Sequence, residues 1–155
     1  MSIDEALSLT ATAVFAVAGC WLAVIDVRTH RLPNRQVAGT GASVLALLTA
    51  AAAAAGSWGS WGRALLAAAG LVACYFVLAV VSSGGVGMGD VKLAAVVGLT
   101  CGWHSWAVVV ISTVATFVLA AGVGIGLLVT RRATRTSSLA FGPFMVAGAL
   151  LALTA

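Results

Sequence analysis

The chain alternates between long apolar runs and short polar or glycine-rich connections along its whole length. A membrane-spanning helix needs about 20 mostly apolar residues, within a range of about 17 to 25. Six segments fit or approach that pattern, at about Glu5 to Val27, Val37 to Ala55, Ala64 to Val81, Val91 to Gly102, Trp106 to Thr130 and Phe141 to Ala155. The fourth and sixth segments are short. The pattern predicts an all-α, polytopic membrane protein with six transmembrane helices, folded as a single domain over residues 1–155.

The composition also indicates that lipid is the main solvent of this chain. Hydrophobic residues make up 62% of the sequence and charged residues 8%, whereas soluble domains carry about 25% charged residues. So few charges cannot cover a water-facing surface. The net charge of +4 does not indicate nucleic-acid binding, because the basic residues lie mostly in short loops and leave no basic face.

The basic residues predict which loops face the cytoplasm. With six spans, the first, third and fifth loops share one side of the membrane, and Lys92 lies just inside the fourth segment on that side. Arg63 and the acidic N-terminal tail lie on the other side. The positive-inside rule therefore places the first side in the cytoplasm. The arginines on that side are Arg28, Arg31, Arg35, Arg131, Arg132 and Arg135.

Tryptophans give an independent indication of the same orientation. Trp58, Trp61, Trp103 and Trp106 all fall at the opposite ends of the predicted spans. Indole rings concentrate at membrane–water interfaces, because one part of the ring is apolar and the other forms hydrogen bonds. We interpret these residues as interfacial anchors.

Two acidic residues, Asp26 and Asp90, lie beyond the N-terminal tail, each at the edge of an apolar segment. An ionisable group at membrane depth costs a few kcal/mol or more. The six-span topology places both carboxylates on the cytoplasmic side at similar depth. Two close carboxylates share a proton, so that one can act as base and the other as acid on a bound water. This chemistry suits peptide-bond hydrolysis. The alternative is two separate aspartates, each capping a helix or pairing with an arginine.

A glycine-rich loop precedes Asp90, with glycines at positions 84, 85, 87 and 89. Glycine gives backbone freedom and removes side-chain bulk, so an extended substrate could approach the aspartate closely. The same loop could simply be a flexible turn into a helix capped by Asp90. Both interpretations can hold together.

Three segments together carry a resemblance to a known family. Residues 87–93, Gly-Met-Gly-Asp-Val-Lys-Leu, resemble the GxGD-Val-Lys signature of the prepilin peptidase (type IV leader peptidase) family. Residues 26–34 resemble its other aspartate motif, with Leu32 in place of the usual isoleucine. Residues 140–144 are similar to its Phe-Gly-Pro segment, although Ala140 stands where proline is usual. The three segments follow the family's order and spacing.

The resemblance implies a function for the chain and a role for each matched position. Asp26 and Asp90 would be the catalytic pair of an aspartic endopeptidase, and Gly87 and Gly89 would shape the loop beside the cleavage site. The enzyme would need no metal or cofactor. It would remove the leader peptide from type IV prepilins or pseudopilins at the cytoplasmic face of the bacterial inner membrane. The substrate-binding or supporting positions would be Thr29, Pro33, Asn34 and Lys92.

The first loop departs from the pattern of longer family members. Those members carry a cytoplasmic insertion with paired cysteines and methylate the new N-terminus. Here the first loop has only about nine residues, which argues against N-methyltransferase activity. The resemblance is closest to the short members that process the small pilins of tight-adherence systems.

Two other functions fit a small polytopic chain. One is a transporter or channel that uses Asp26, Asp90 and Lys92 as an intramembrane charge pathway. The other is a non-catalytic membrane scaffold. No acidic residue lies deep within a predicted span, which argues against a continuous relay. Replacement of Asp90 by asparagine distinguishes these functions, because only a peptidase would lose substrate processing.

Overall fold

The structure, a computed structural model, describes residues 1–29, 32–81, 87–130 and 140–155. These residues form six α-helices and no β-strand, which confirms the all-α prediction. The helices are α1 (Ile3–Thr29), α2 (Asn34–Ala55), α3 (Trp58–Val81), α4 (Met88–His104), α5 (Trp106–Val129) and α6 (Gly142–Thr154).

Short polar or glycine signals set several helix ends. The second helix ends at Ala55 and is capped by Gly56, whose φ of 67° lies in the left-handed region that glycine adopts without strain. Ser105 separates α4 from α5, and its hydroxyl oxygen accepts a hydrogen bond from the Val108 N–H at 3.1 Å. This serine is therefore an N-cap of the kind that satisfies an otherwise unpaired amide at a helix start.

The third and fourth predicted segments are shorter than the helices that the structure shows. The third helix begins at Trp58 and not near Ala64, because the amides of Ser60 and Trp61 already bond to the Ser57 carbonyl oxygen. The segment rich in glycine, serine and tryptophan is thus mostly helical. The fourth helix has 17 residues and not the predicted run from Val91 to Gly102. At 1.5 Å per residue it is about 26 Å long, so the sequence underestimated its length.

Four of the described helices, α1, α2, α3 and α5, are long and apolar enough to cross a membrane. The sixth helix is apolar but shorter, at 13 residues. Large hydrophobic side chains such as Val17, Leu66, Val110 and Ile125 are exposed on the outside of the bundle. An apolar outer surface is expected where the surrounding solvent is lipid. These features are those of a membrane protein, and the number of spans stays a prediction.

The fourth helix lies at the centre of the bundle and packs against all five other helices. Most of its residues are buried, on every side of the helix. A helix that is apolar all round belongs in a core. The central position of α4 fixes the place of Asp90, which is near its start, relative to the ends of the surrounding helices.

The bundle has two chemically different ends. At one end, the last residues of α1 meet the first residues of α4 and α6, and we call this the aspartate end. At the other end, the start of α3 meets the junction between α4 and α5, and we call this the tryptophan end.

Candidate active site

Asp90 lies in the first turn of α4, and its carboxylate is bound at the start of its own helix. Its Oδ2 atom accepts a hydrogen bond from the backbone N–H of Gly87 at 2.9 Å. Gly87 is the N-cap residue and has extended backbone geometry. A carboxylate that accepts the N-cap amide forms one half of a capping box, and the positive end of the helix dipole stabilises its charge.

Asp26 lies near the end of α1, and its carboxylate is held by a different helix. Its Oδ2 atom accepts a hydrogen bond from the backbone N–H of Gly142, the first residue of α6, at 3.0 Å. Asp26 and Asp90 are each only 6% exposed. Both carboxylates are therefore buried, and each is fixed by an amide at the start of a helix.

Gly142 can approach Asp26 because it has no side chain. A Cβ atom at this position would lie 2.8 Å from Asp26 Oδ2, closer than a carbon atom can stay without displacing its neighbour. Pro143 follows as the second residue of α6, where its missing N–H does not weaken the helix. The glycine and proline of the Phe-Gly-Pro segment thus place a helix start against the α1 carboxylate.

A cluster of aromatic rings packs behind this helix start. Phe141 lies 6.0 Å from Tyr75 of α3 and 5.7 Å from Phe117 of α5, measured between ring centroids. Tyr75 and Phe117 stack at 6.0 Å. Aromatic pairs at these distances attract one another beyond the effect of their buried area. The cluster therefore ties the start of α6, and with it Gly142, to α3 and α5.

Both carboxylates line one cleft of about 390 Å³ at the aspartate end. A cleft of this size falls within the range of small-ligand sites. Its lining residues are Asp26, Leu32, Asn34, Gly87, Met88, Gly89, Asp90 and Lys92.

Glycine is required at position 89 because Leu32, in the connection between α1 and α2, lies close to it. A Cβ atom at Gly89 would lie 2.9 Å from Leu32 Cβ, so a larger residue would push Leu32 away from the cleft. Gly87 is less crowded, since its nearest neighbour would be Asp90 Oδ2 at 3.4 Å. Gly84 and Gly85, which we expected to border the substrate, lie outside the described residues.

Lys92 and Asn34 join α4 to α2 at one edge of the cleft. The Lys92 Nζ atom donates a hydrogen bond to Asn34 Oδ1 at 2.7 Å. Both residues are exposed at the surface. The cleft therefore has buried acidic groups within it and a polar, partly cationic group at its rim.

Two of the predicted supporting residues do not line the cleft. Thr29 is exposed at the last position of α1, where its hydroxyl donates to the Ile25 carbonyl oxygen at 2.9 Å. Pro33 is the N-cap of α2, and its carbonyl oxygen accepts from the amides of Gln36 and Val37. Both residues thus make hydrogen bonds at helix ends. It brings the other six predicted residues to a single cleft.

Sequence reasoning missed three residues of the site, namely Leu32, Met88 and Gly142. The first two belong to the motifs already quoted, but their side chains carry no chemistry that marks them. Gly142 belongs to the Phe-Gly-Pro segment, to which no role was assigned. The signal was present there: glycine followed by proline before an apolar run is typical of a helix start.

Among the residues with described positions, no group of three or more histidine, cysteine, aspartate or glutamate side chains could hold a metal ion. The groups available in the cleft are the two carboxylates, the Asn34 amide and the Lys92 ammonium. Their chemistry is acid–base chemistry on a bound water or substrate.

The fold and the cleft together define a membrane protein with a paired-carboxylate site. Residues 13–129 match the Type IV leader peptidase family. The chain belongs to this family, which confirms the resemblance found in the sequence and makes the protein a leader-peptidase-like protease. The matched region contains both aspartates and ends before Gly142. Searches of curated proteins and of solved structures gave no significant match.

Proposed function

We propose that this protein is a membrane aspartic endopeptidase that removes the leader peptide from type IV prepilins or pseudopilins, with Asp26 and Asp90 as its catalytic pair. The observation that carries the proposal is the single cleft lined by both buried carboxylates. These residues are 64 positions apart in the sequence and lie on different helices. Two independent helix caps would not need to share a cleft.

The reaction follows from the asymmetry of a carboxylate pair. Two like charges in a low-dielectric site raise the cost of ionising both groups, so one carboxyl keeps its proton while the other is ionised. The ionised group takes a proton from a bound water, whose oxygen attacks the scissile carbonyl carbon. The protonated group stabilises the oxyanion of the tetrahedral intermediate. Proton transfer to the amide nitrogen then allows the C–N bond to break.

The backbone amides of Gly87 and Gly142 act by keeping both carboxylates in place. Each donates to the Oδ2 atom of one aspartate. Helix-start amides favour the ionised form of a carboxylate, and they fix the direction in which its other oxygen points.

We place the aspartate end at the cytoplasmic face of a bacterial inner membrane. The arginine bias of the sequence supports this orientation. In this arrangement α4 and α6 complete six spans as its shorter members. A helix of about 26 Å, such as α4, is slightly short for a hydrocarbon core of about 30 Å. The start of α4 would then lie just below the membrane surface.

This position determines where the substrate would be cut. A helix offers no free backbone to a protease, because its amides are bonded internally. The cut should therefore fall where the substrate leaves its apolar helix, with glycine or another small residue on the leader side. A prepilin has this layout, with a polar leader followed by an apolar helix. The connection between α1 and α2 is short, which supports cleavage without N-methylation.

The decisive experiment replaces each aspartate by asparagine. Asp26→Asn and Asp90→Asn should each lower the cleavage rate by about 10²- to 10⁴-fold, the usual contribution of general acid–base catalysis. Both variants should still insert and accumulate in the membrane, because asparagine keeps the size and an acceptor oxygen. Co-expression with prepilins from the same genome, followed by mass spectrometry, measures leader loss and locates the cut.

Near-normal processing by either variant would show that the two-carboxylate mechanism is wrong. A cut well inside the apolar helix of the pilin would contradict the proposed position of the cleft. If neither the wild-type protein nor its variants process any prepilin, the substrate class itself is wrong.

A further inference from the structure

A second depression runs along the outside of the bundle from the edge of the cleft. It has a volume of about 500 Å³ and lies between α2 and α4, with Val72 of α3 also contributing to its lining. We call it the α2/α4 groove. Asn34 and Lys92 line both the cleft and the groove. The groove is therefore continuous with the candidate active site.

The polarity of the groove changes along its length. Asn34 and Lys92, at the cleft, are its polar lining residues, and the rest of its lining is apolar. On α2 it extends from Asn34 to Leu45, which is about 16 Å at 1.5 Å per residue. On α4 it reaches Leu99. A ligand that fits this surface is polar at one end and apolar over about three helical turns.

Small residues line both sides of the groove, so that another helix could pack into it. On α2 the lining includes Ala38, Gly41 and Ala42, and on α4 it includes Ala95. Small residues on a membrane helix let a second helix approach closely. A Cβ atom at Gly41 would lie 3.4 Å from the side chain of Val96, which also lines the groove. A bulky residue at position 41 would fill the space that an incoming helix needs.

We propose that the α2/α4 groove binds the first turns of the substrate's own apolar helix, while the peptide bond to be cut lies in the cleft. This inference rests on the proposed function and names the surface that selects the substrate. The hydrogen bond between Lys92 and Asn34 marks the boundary at which the substrate chain leaves its helix. The polar leader lies on the aspartate side of this boundary and the apolar helix lies in the groove.

The test compares two glycines on α2 that differ in their position relative to the groove. Gly41 lines it, whereas Gly39 is exposed with open space where a Cβ atom would lie. Gly41→Leu should raise the KM for a full-length prepilin about tenfold, which corresponds to about 1.4 kcal/mol of lost binding, and leave kcat unchanged. Gly39→Leu should leave both constants unchanged. A short peptide that contains the cleavage junction but lacks the apolar helix should be cleaved equally by all three proteins.

The outcomes separate this inference from the proposed function. If the wild-type protein cleaves no prepilin, the proposed function fails. If it cleaves prepilin and the two glycine variants have the same KM, the groove does not bind the substrate helix.

Photo-crosslinking covers the case in which Gly41→Leu does not accumulate. A benzoylphenylalanine at position 42, in an Asp90→Asn background, should crosslink to the apolar helix of co-expressed prepilin. The same group at position 39 should not. Crosslinks from position 42 to lipid alone, or equal prepilin crosslinks from both positions, would overturn the proposal.

Discussion

At the aspartate end, Gly87 caps α4 and Gly89 lies in its first turn beside the cleft, whereas nearer the tryptophan end α4 contains Gly98 and Gly102 pressed against α3. A Cβ atom at Gly98 would lie 2.5 Å from Ala68 Cα, and one at Gly102 would lie 2.6 Å from Ala67 Cβ. The second pair thus permits close helix packing. At the first pair, a Cβ atom would instead meet groups that line the cleft, namely Leu32 at Gly89 and the Asp90 carboxylate at Gly87. The same residue type therefore shapes the cleft at one end and allows close helix contact towards the other.

The polar contacts of the two ends also differ, because carboxylates accept hydrogen bonds at one end and a guanidinium donates them at the other. At the aspartate end, backbone amides at helix starts donate to the carboxylates of Asp26 and Asp90. At the tryptophan end, the Arg63 guanidinium donates to carbonyl oxygens at the end of α4, including that of Gly102 at 2.7 Å. Each arrangement pairs a charge with the favourable end of a helix dipole. The carboxylates face a cleft, whereas the guanidinium is engaged by four acceptors in the bundle.

This comparison predicts that substitutions at the aspartate end change catalysis, whereas those nearer the tryptophan end change stability. After the two aspartate variants, the largest effect on the cleavage rate is expected for Gly142→Ala. The added methyl group must displace the Asp26 carboxylate, since its carbon would lie 2.8 Å from Oδ2. Misplacing a reacting group by about 1 Å can cost about 100-fold in rate. We therefore expect kcat to fall by about that factor, with KM for prepilin nearly unchanged.

The thermal unfolding of Gly142→Ala in detergent should stay close to that of the wild type, because alanine favours a helix more than glycine does. Gly124→Ala on α5, where a Cβ atom would meet open space, is the matched control and should alter neither property. A normal kcat for Gly142→Ala would show that the Gly142 amide does not position Asp26. A fall in kcat accompanied by a clear loss of thermal stability would indicate that Gly142 has a structural role instead.

The second prediction concerns the opposite half of α4. Gly98→Ala should destabilise the folded protein by about 1–3 kcal/mol, the usual cost of overpacking a filled core, because the new methyl group would strike the α3 backbone at Ala68. Equilibrium unfolding in detergent measures this loss. The remaining folded protein should keep its kcat, since Gly98 is remote from the cleft lining. Gly122→Ala, at an open position on α5, should be neutral or slightly stabilising.

A lower kcat for Gly98→Ala without any loss of stability would contradict this distinction between the two ends of α4. It would mean that the α3–α4 contact sets the position of Asp90 and does not merely hold the bundle together.

The sequence predicted the six helices and placed Asp26 and Asp90 on the same side, because both inferences need only hydropathy and parity. The contact between Asp26 and Gly142 was not predictable in this way. These residues are 116 positions apart, and no local pattern shows that the start of α6 meets the end of α1. The hydrogen bond between Lys92 and Asn34 likewise depends on which helices are neighbours. Contacts of this kind are set by packing of the whole bundle.

The start of α3 shows a different limit of sequence reasoning. Hydropathy marks where a helix becomes apolar, whereas the helix itself begins where its backbone hydrogen bonds begin. These points differ by six residues in α3, between Trp58 and Ala64. For α4, the apolar character on all sides removed the periodic signal that would reveal a buried face. Its central position became visible only in the structure.

The smallest expected effect concerns Arg63, whose side chain fastens the start of α3 to the end of α4. Arg63→Met keeps much of the side-chain length but removes the donors to the carbonyl oxygens of Gly102, Trp103 and His104. Water at the membrane interface can replace part of this bonding, so the cost should be about 1 kcal/mol, the net value of a typical hydrogen bond. Arg63→Lys should recover only part of the loss, because an ammonium group lacks the planar fork that reaches several acceptors. Unfolding in detergent measures both variants, and prepilin cleavage by each should keep the wild-type kcat. A clear fall in kcat for Arg63→Met would show that the far end of α4 controls the position of Asp90, and that the two ends do not act separately.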